Sequence, residues 1–140
     1  MEQSAVLIVD DEQKVLSSLE RELREEGFEI FFAESGSEAL QILSCYPCKV
    51  IITDVKMPVM NGLELLAKVK ELYPEMVRII LSGHADTKLI LNAVNKEGID
   101  RYLTKPWNID DVKAVLHQGI ELYDLRKEVV SLRAQLRNRQ

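Results

Sequence analysis

Val50-Ile51-Ile52-Thr53-Asp54-Val55-Lys56-Met57-Pro58-Val59-Met60-Asn61-Gly62 runs from an apolar segment through an acid into the start of a helix. Its first residues, Val50 to Ile52, form a continuous apolar run, the pattern of a strand buried on both faces of a parallel sheet. The run stops at Asp54, and Pro58 and Asn61-Gly62 then open a helix. A buried strand that ends in an acid at its carboxyl edge is where open α/β sheets place their chemistry.

The same grammar repeats on either side. Ala5 to Val9 form a first buried strand ending in Asp10-Asp11-Glu12, followed by a helix with Val15, Leu16, Leu19 and Leu23 on one face and Gly27 as its stop. Phe28 to Ala33 form the second strand, and Ser35-Gly36-Ser37-Glu38 has the spacing of a capping box for the next helix. After the central stretch come a helix with Leu63, Leu66 and Val69, and a fourth strand, Val77 to Ser82. A helix carrying Leu89, Ile90, Ala93 and Val94 then runs to Gly98. Ile99 to Thr104 form the fifth strand, ending at Lys105-Pro106, and the last helix starts near Asn108 or Ile109. Strict alternation of this kind predicts a parallel sheet with helices on both faces and right-handed crossovers. The expected fold is a flavodoxin-like (βα)5 doubly wound sheet in the order 2-1-3-4-5.

Composition sets the outer limits. With 140 residues, one domain with an appendage is expected, and 46% apolar residues suffice for its core. A net charge of -5 argues against a nucleic-acid-binding main body. The amino terminus lacks the basic flank of a signal peptide, and no apolar run is long enough to span a bilayer, so a cytoplasmic location without membrane attachment is expected. Cys45-Tyr46-Pro47-Cys48 follows a helix and precedes a strand, the reverse of the polarity that a redox pair needs, and reads as a connecting loop.

Four strand ends carry reactive groups: Asp10 and Asp11, Asp54, Ser82, and Lys105. In the order 2-1-3-4-5 the first and third strands are neighbours, so three carboxylates converge. Like charges that close raise one another's pKa unless a cation sits among them. A hard divalent ion with oxygen ligands resolves this, and Mg²⁺ tolerates few carboxylates while keeping its waters. Together with the Lys105 ammonium and the Ser82 hydroxyl, the set fits a phosphoryl group on Asp54, whose carboxylate is the nucleophile.

Asp10-Asp11, the segment Thr53 to Gly62, Leu81-Ser82-Gly83-His84-Ala85 and Tyr102-Leu103-Thr104-Lys105-Pro106 resemble the signature segments of response-regulator receiver domains, over residues of about 5 to 117. The resemblance implies that Asp54 is the phosphoacceptor, served by a sensor histidine kinase or a phosphotransfer protein. It implies that Asp11, Asp54 and the backbone carbonyl of Lys56 bind Mg²⁺ directly, with Asp10 acting through water. Ser82 and Lys105 would turn to the phosphoryl group and Tyr102 would change rotamer with Ser82. The side chains of Lys56 and His84 would tune the lifetime of the phosphoryl group, and Lys105-Pro106 would be cis. The signal would leave through the fourth helix, the fifth strand and the fifth helix. Such a domain is a signalling module, not an enzyme beyond its own phosphotransfer and dephosphorylation.

Family receivers usually end soon after the fifth helix, but here the helical pattern continues. Leu122, Leu125, Val129, Leu132 and Leu136 keep a 4-3 heptad, and Glu121 with Arg126 and Glu128 with Arg133 fall at positions that pair across a parallel dimer. The expected division is therefore a receiver domain over 1–118 and a helical extension over 119–140, a parallel homodimeric coiled coil leading to an output domain beyond this segment. The run Asn95 to Trp107 looks like receivers that precede HD-GYP phosphodiesterase or AAA+ transcription-activator outputs. A helix folded back on its own domain is the alternative, and nucleic-acid binding by the extension is not expected.

Two other functions are compatible with parts of the pattern. An Mg²⁺-dependent phosphohydrolase would use Asp54 as nucleophile, but Lys56 stands where such an enzyme needs a second acid. A constitutive dimerisation module would not need Asp10, Asp11, Asp54, Ser82 and Lys105 together.

Overall fold

The computed structural model describes residues 3–83, 86, 88, 90, 91 and 98–139. Its elements run β1 (Ala5–Val9), α1 (Gln13–Leu23), β2 (Glu29–Ala33), α2 (Gly36–Cys45), β3 (Val50–Asp54), α3 (Gly62–Leu72), β4 (Val77–Ser82), β5 (Arg101–Thr104) and a C-terminal helix (Ile109–Asn138). The five strands are parallel, in the order β2-β1-β3-β4-β5. This is the flavodoxin-like doubly wound sheet that the alternation predicts.

Strand side chains alternate between faces, so the apolar runs feed two cores. Leu7, Val9 and Ile51 pack with Leu43, Leu65 and Leu66 beneath α2 and α3. Val6, Ile8, Val50 and Ile52 pack with Leu19 of α1 and Val112 and Leu116 of the C-terminal helix. Because both faces are covered, β1, β3 and β4 are buried along their whole length.

Helix starts follow local chemistry. Ser35 accepts from Glu38 N at the head of α2, while the Glu38 carboxylate accepts from Glu34 N instead of the cap residue. Asn61 and Glu64 exchange both bonds of a capping box at the head of α3. Asn108 caps the C-terminal helix through Asp110 N and Asp111 N.

Three boundaries differ from the sequence reading. Helix α1 closes at Leu23, and Gly27, at φ +89°, sits in the turn beyond it. Strand β2 begins at Glu29 because Ala5 pairs with Glu29, leaving Phe28 buried outside the ladder. Strand β5 begins at Arg101: Asp100 N donates to Arg78 O, but the Asp100 carboxylate turns to Arg78 N and to Arg126. The expected fourth helix, with Leu89, Ala93 and Val94, lies almost entirely outside the described residues. Of it, Ile90 is buried in the core under α2 and α3 and Leu91 is exposed.

The C-terminal helix does not break at the expected boundary of 118 and 119. A Cβ on Gly119 would stand 2.9 Å from Val50 Cγ2, so glycine lets the helix lie close on the sheet. Ile120, Leu122 and Tyr123 continue that packing, and ion pairs Lys49–Asp124 (2.8 Å) and Arg126–Asp100 (2.6 Å) follow. Arg126 is thus held by its own domain, whereas the heptad reading pairs it with Glu121 of a second chain. Beyond it Val129, Leu132 and Leu136 are exposed.

Candidate functional site

The carboxyl ends of β1, β3, β4 and β5 meet at one edge. Asp10 follows β1 and is buried, with Oδ1 accepting from Glu12 N at 2.9 Å; Asp11 beside it is exposed. Asp54 closes β3 at 8% exposure. Ser82 closes β4 and is buried, and its carbonyl accepts from Lys105 N at 2.8 Å, which aligns the exit of β5 with that of β4. The Lys105-Pro106 bond is cis.

Lys105 links the acids. Its Nζ lies 2.9 Å from Asp10 Oδ2 and 3.4 Å from Asp54 Oδ1. Asp54 Oδ1 also accepts from Val55 N at 2.9 Å, so both contacts fall on one oxygen. Among the described residues Oδ2 has no hydrogen-bond partner. Burial pushes the Asp54 carboxyl above the usual carboxylate range, Asp10 adds to this, and Lys105 and Val55 N–H oppose it. Burial pulls the Lys105 ammonium down, but hydrogen bonding and charge from Asp10, then Asp54, outweigh it and leave it raised.

One oxygen from each of Asp10, Asp11 and Asp54 lies within 4.8 Å of the others. Among the described residues three carboxylates face the Lys105 ammonium, and the Asp54 carboxyl is shifted toward its neutral form. That imbalance, in an all-oxygen donor set, fits a hard divalent cation such as Mg²⁺.

The backbone around Asp54 is built for close approach. A Cβ on Gly62 would collide with Asp54 O, so only glycine lets the head of α3 fold back over the exit of β3. Gly62 N then donates to Val55 O at 2.8 Å, and buried Thr53 Oγ1 donates to Asp54 O at 3.0 Å. Val59 sits in the left-handed region at φ +69° with its side chain fully exposed, a strained position for a β-branched residue.

The remaining expected site residues fall as follows. The Lys56 side chain is exposed, and its Nζ lies 3.4 Å from Oδ1 of buried Asp86. That oxygen has no hydrogen bond among the described residues, so the contact is one of charge proximity. Tyr102, opposite Ile80 on β5, points outward at 58% exposure. His84 lies outside the described residues. Sequence reading missed Asp86 and Gly62. Asp86 sits in a turn closed by its N–H on Gly83 O, a fold-back that no periodicity announces. Gly62 reads there as an ordinary helix start. In the Cys45-Cys48 loop, burial, then Glu29, pushes the Cys48 thiol up to about 12.

Residues 6–117 match the family model of the response regulator receiver domain. The chain is a response-regulator receiver. It is 38% identical to the hydrogenase transcriptional regulatory protein HoxA of Cupriavidus necator over 135 residues, 96% of this chain and 28% of that protein. It is 32% identical to the DNA-binding transcriptional regulator NtrC of Escherichia coli over 128 residues, 91% of this chain and 27% of that one. The signal receiver domain of an HD-domain-containing protein from Pseudomonas fluorescens superposes with a TM-score of 0.83 at 33% identity, covering 88% of this chain and 98% of that one. The chain therefore spans under a third of the length of these two curated relatives. Receiver domains of response regulators are signalling modules that bind Mg²⁺ at an acidic pocket and interact with histidine kinases.

Proposed function

We propose that this receiver accepts a phosphoryl group on Asp54 from the phosphohistidine of a sensor kinase or a phosphotransfer protein, and passes the change to its C-terminal helix. The observation that carries this is the division of labour on Asp54: Oδ1 is held by Lys105 and Val55 N–H, and Oδ2 has no hydrogen-bond partner among the described residues. In the reaction Oδ2 attacks phosphorus, the nitrogen–phosphorus bond breaks, and its electron pair returns to the imidazole, which takes up a proton. Lys105 stays beside the acyl phosphate and faces the new charge, while Ser82 Oγ, at the end of the adjacent strand, donates to a phosphoryl oxygen. Asp11, Asp54 and the Lys56 carbonyl would hold Mg²⁺ directly, with Asp10 acting through water, and the ion would supply charge neutralisation for the transferring group.

The switch follows from charge. A phosphoryl group adds about two negative charges and three acceptor oxygens in place of one carboxylate. Ser82 and Lys105 move toward it, and outward-facing Tyr102 turns into the space that Ser82 leaves. Lys56, paired with Asp86, and His84 set how long the phosphoryl group survives. The face of the fourth helix, β5 and the C-terminal helix then reads out the state. The whole sits in the cytoplasm, and the seam Leu125, Val129, Leu132 and Leu136 joins two chains in parallel. The residues from 119 onward connect the receiver of 1–118 to an output, for which the names of HoxA and NtrC support transcriptional control.

Incubation with Mg²⁺ and acetyl phosphate tests the chemistry by intact-mass measurement. One phosphoryl adduct, stable in acid, labile in base and absent from Asp54→Asn, is expected. Steady hydrolysis of phosphoesters without an adduct would assign the site to a hydrolase instead.

A further inference from the structure

The C-terminal helix meets two demands on the same turn. The heptad would give Arg126 to a second chain, but the domain already holds it. Arg126 Nη2 lies 2.6 Å from Asp100 Oδ1, and Nη1 lies 3.4 Å from Oδ2 and from the carbonyl oxygens of Glu75 and Met76. A planar guanidinium held at two points is fixed in direction as well as distance. Asp100 is itself anchored, since its Oδ2 accepts from Arg78 N at 2.9 Å and its N–H donates to Arg78 O at 2.8 Å. Arg78, buried, donates through Nε to Gly98 O at 2.8 Å. These contacts run without a gap from the start of β4, through the residue before β5, to the helix.

The opposite flank of the helix is held as well. Lys49 Nζ pairs with Asp124 Oδ1 at 2.8 Å and lies 5.7 Å from the centre of the Tyr123 ring. Two residues apart on a helix is a rotation of about 200°, so Asp124 and Arg126 grip it from both sides of Tyr123. A helix held on both flanks cannot turn about its axis without breaking an ion pair.

We propose that Asp100–Arg126 and Lys49–Asp124 form a rotation lock that fixes which helix face a second copy of this chain meets. That face is Leu125, Val129, Leu132 and Leu136, without Leu122, and its interchain ion pair is Glu128–Arg133, not Glu121–Arg126. The inference rests on the parallel dimer proposed above and specifies its register. Leu122 is half-buried against the core that holds Val50 and Val77, whereas the four seam residues are 44–61% exposed. A guanidinium already committed to a carboxylate at two points gains little from a further exposed glutamate. With the lock closed, a displacement of residues 98–101 ahead of β5 moves the seam with it.

Oxidative cross-linking of single cysteines in a Cys45→Ser, Cys48→Ser chain reads the face directly. Val129→Cys and Leu132→Cys are expected to link two chains, and Leu122→Cys to resist. In sedimentation, Arg133→Glu weakens the dimer by about tenfold and Glu128→Arg added to it restores the affinity, while Arg126→Gln leaves it within about twofold. Linking at Leu122→Cys as fast as at Val129→Cys, or a dimer weakened as much by Arg126→Gln as by Arg133→Gln, overturns the register. A wild type that stays monomeric even with beryllofluoride overturns the dimer beneath it. The lock itself is then decided by urea unfolding of Asp100→Asn, Arg126→Gln and their double variant: non-additive losses support it and additive ones refute it.

Discussion

Asp54 carries its negative charge in a buried place with another carboxylate beside it, and one ammonium does not offset both. Its pKa therefore lies above the ordinary carboxylate value in the folded chain, chiefly through burial. Such a group binds its proton more tightly folded than unfolded, so ionising it costs stability as pH rises through the raised value. Asp54→Asn should unfold at a higher temperature than wild type at neutral pH without divalent cations. The gap should shrink as pH falls toward the usual carboxylate range, and Mg²⁺ should narrow it by stabilising wild type alone. Thermal unfolding at neutral and acidic pH, with and without Mg²⁺, measures this; equal stabilities at neutral pH would mean that Lys105 balances the site unaided. Asp10, Asp11, Asp54, Ser82 and Lys105 are legible in the sequence because each stands at the end of a strand, and strand ends in a parallel sheet share an edge. Asp86 is not: it ends no strand and fits no apolar period, yet it is buried 3.4 Å from Lys56 Nζ, with its N–H on Gly83 O.

At the scale of elements, apolar runs and capping residues carry most of the information. Strands β1, β3 and β4 fall where the runs do, and Asn61 and Asn108 start helices because their side chains satisfy free N–H groups. Boundaries shift where a tertiary partner intervenes, as at Asp100, which gives its carboxylate to Arg78 and Arg126 and delays β5. Contact between backbones is the other blind spot. Gly62 at the head of α3 leaves no room for a Cβ against Asp54 O. In an exposed helix Gly→Ala gains about 1 kcal/mol, but Gly62→Ala should cost about 2–3 kcal/mol in urea unfolding, because α3 must move off β3. It should also slow adduct formation on Asp54, whose carbonyl it displaces. A neutral or stabilising Gly62→Ala would show that the exit of β3 yields freely.

For the whole molecule, strict alternation of strands and helices makes the doubly wound sheet legible from end to end. The course of the last helix is only half legible. Its heptad is visible, but a 4-3 pattern does not reveal that Leu122 belongs to the domain core or that Arg126 is tied to Asp100, since both depend on where the sheet lies. A chain ending after Lys127 keeps both flanking ion pairs and loses most of the seam. It should fold with wild-type cooperativity and scatter light as a monomer, as should Leu132→Asp in the full chain. A dimer that survives both changes would move the interface onto the globular part.

Signalling by this receiver depends on a covalent bond to one oxygen of one residue. Phosphorylation with acetyl phosphate and Mg²⁺, followed by borohydride reduction and peptide sequencing, converts an aspartyl phosphate to homoserine at the residue that carried it. Homoserine at position 54 alone, dependent on Mg²⁺ and lost when Lys105 is replaced by alanine, is the predicted result. Homoserine at Asp10, Asp11 or Asp86, or none in a chain that still consumes acetyl phosphate, would contradict it.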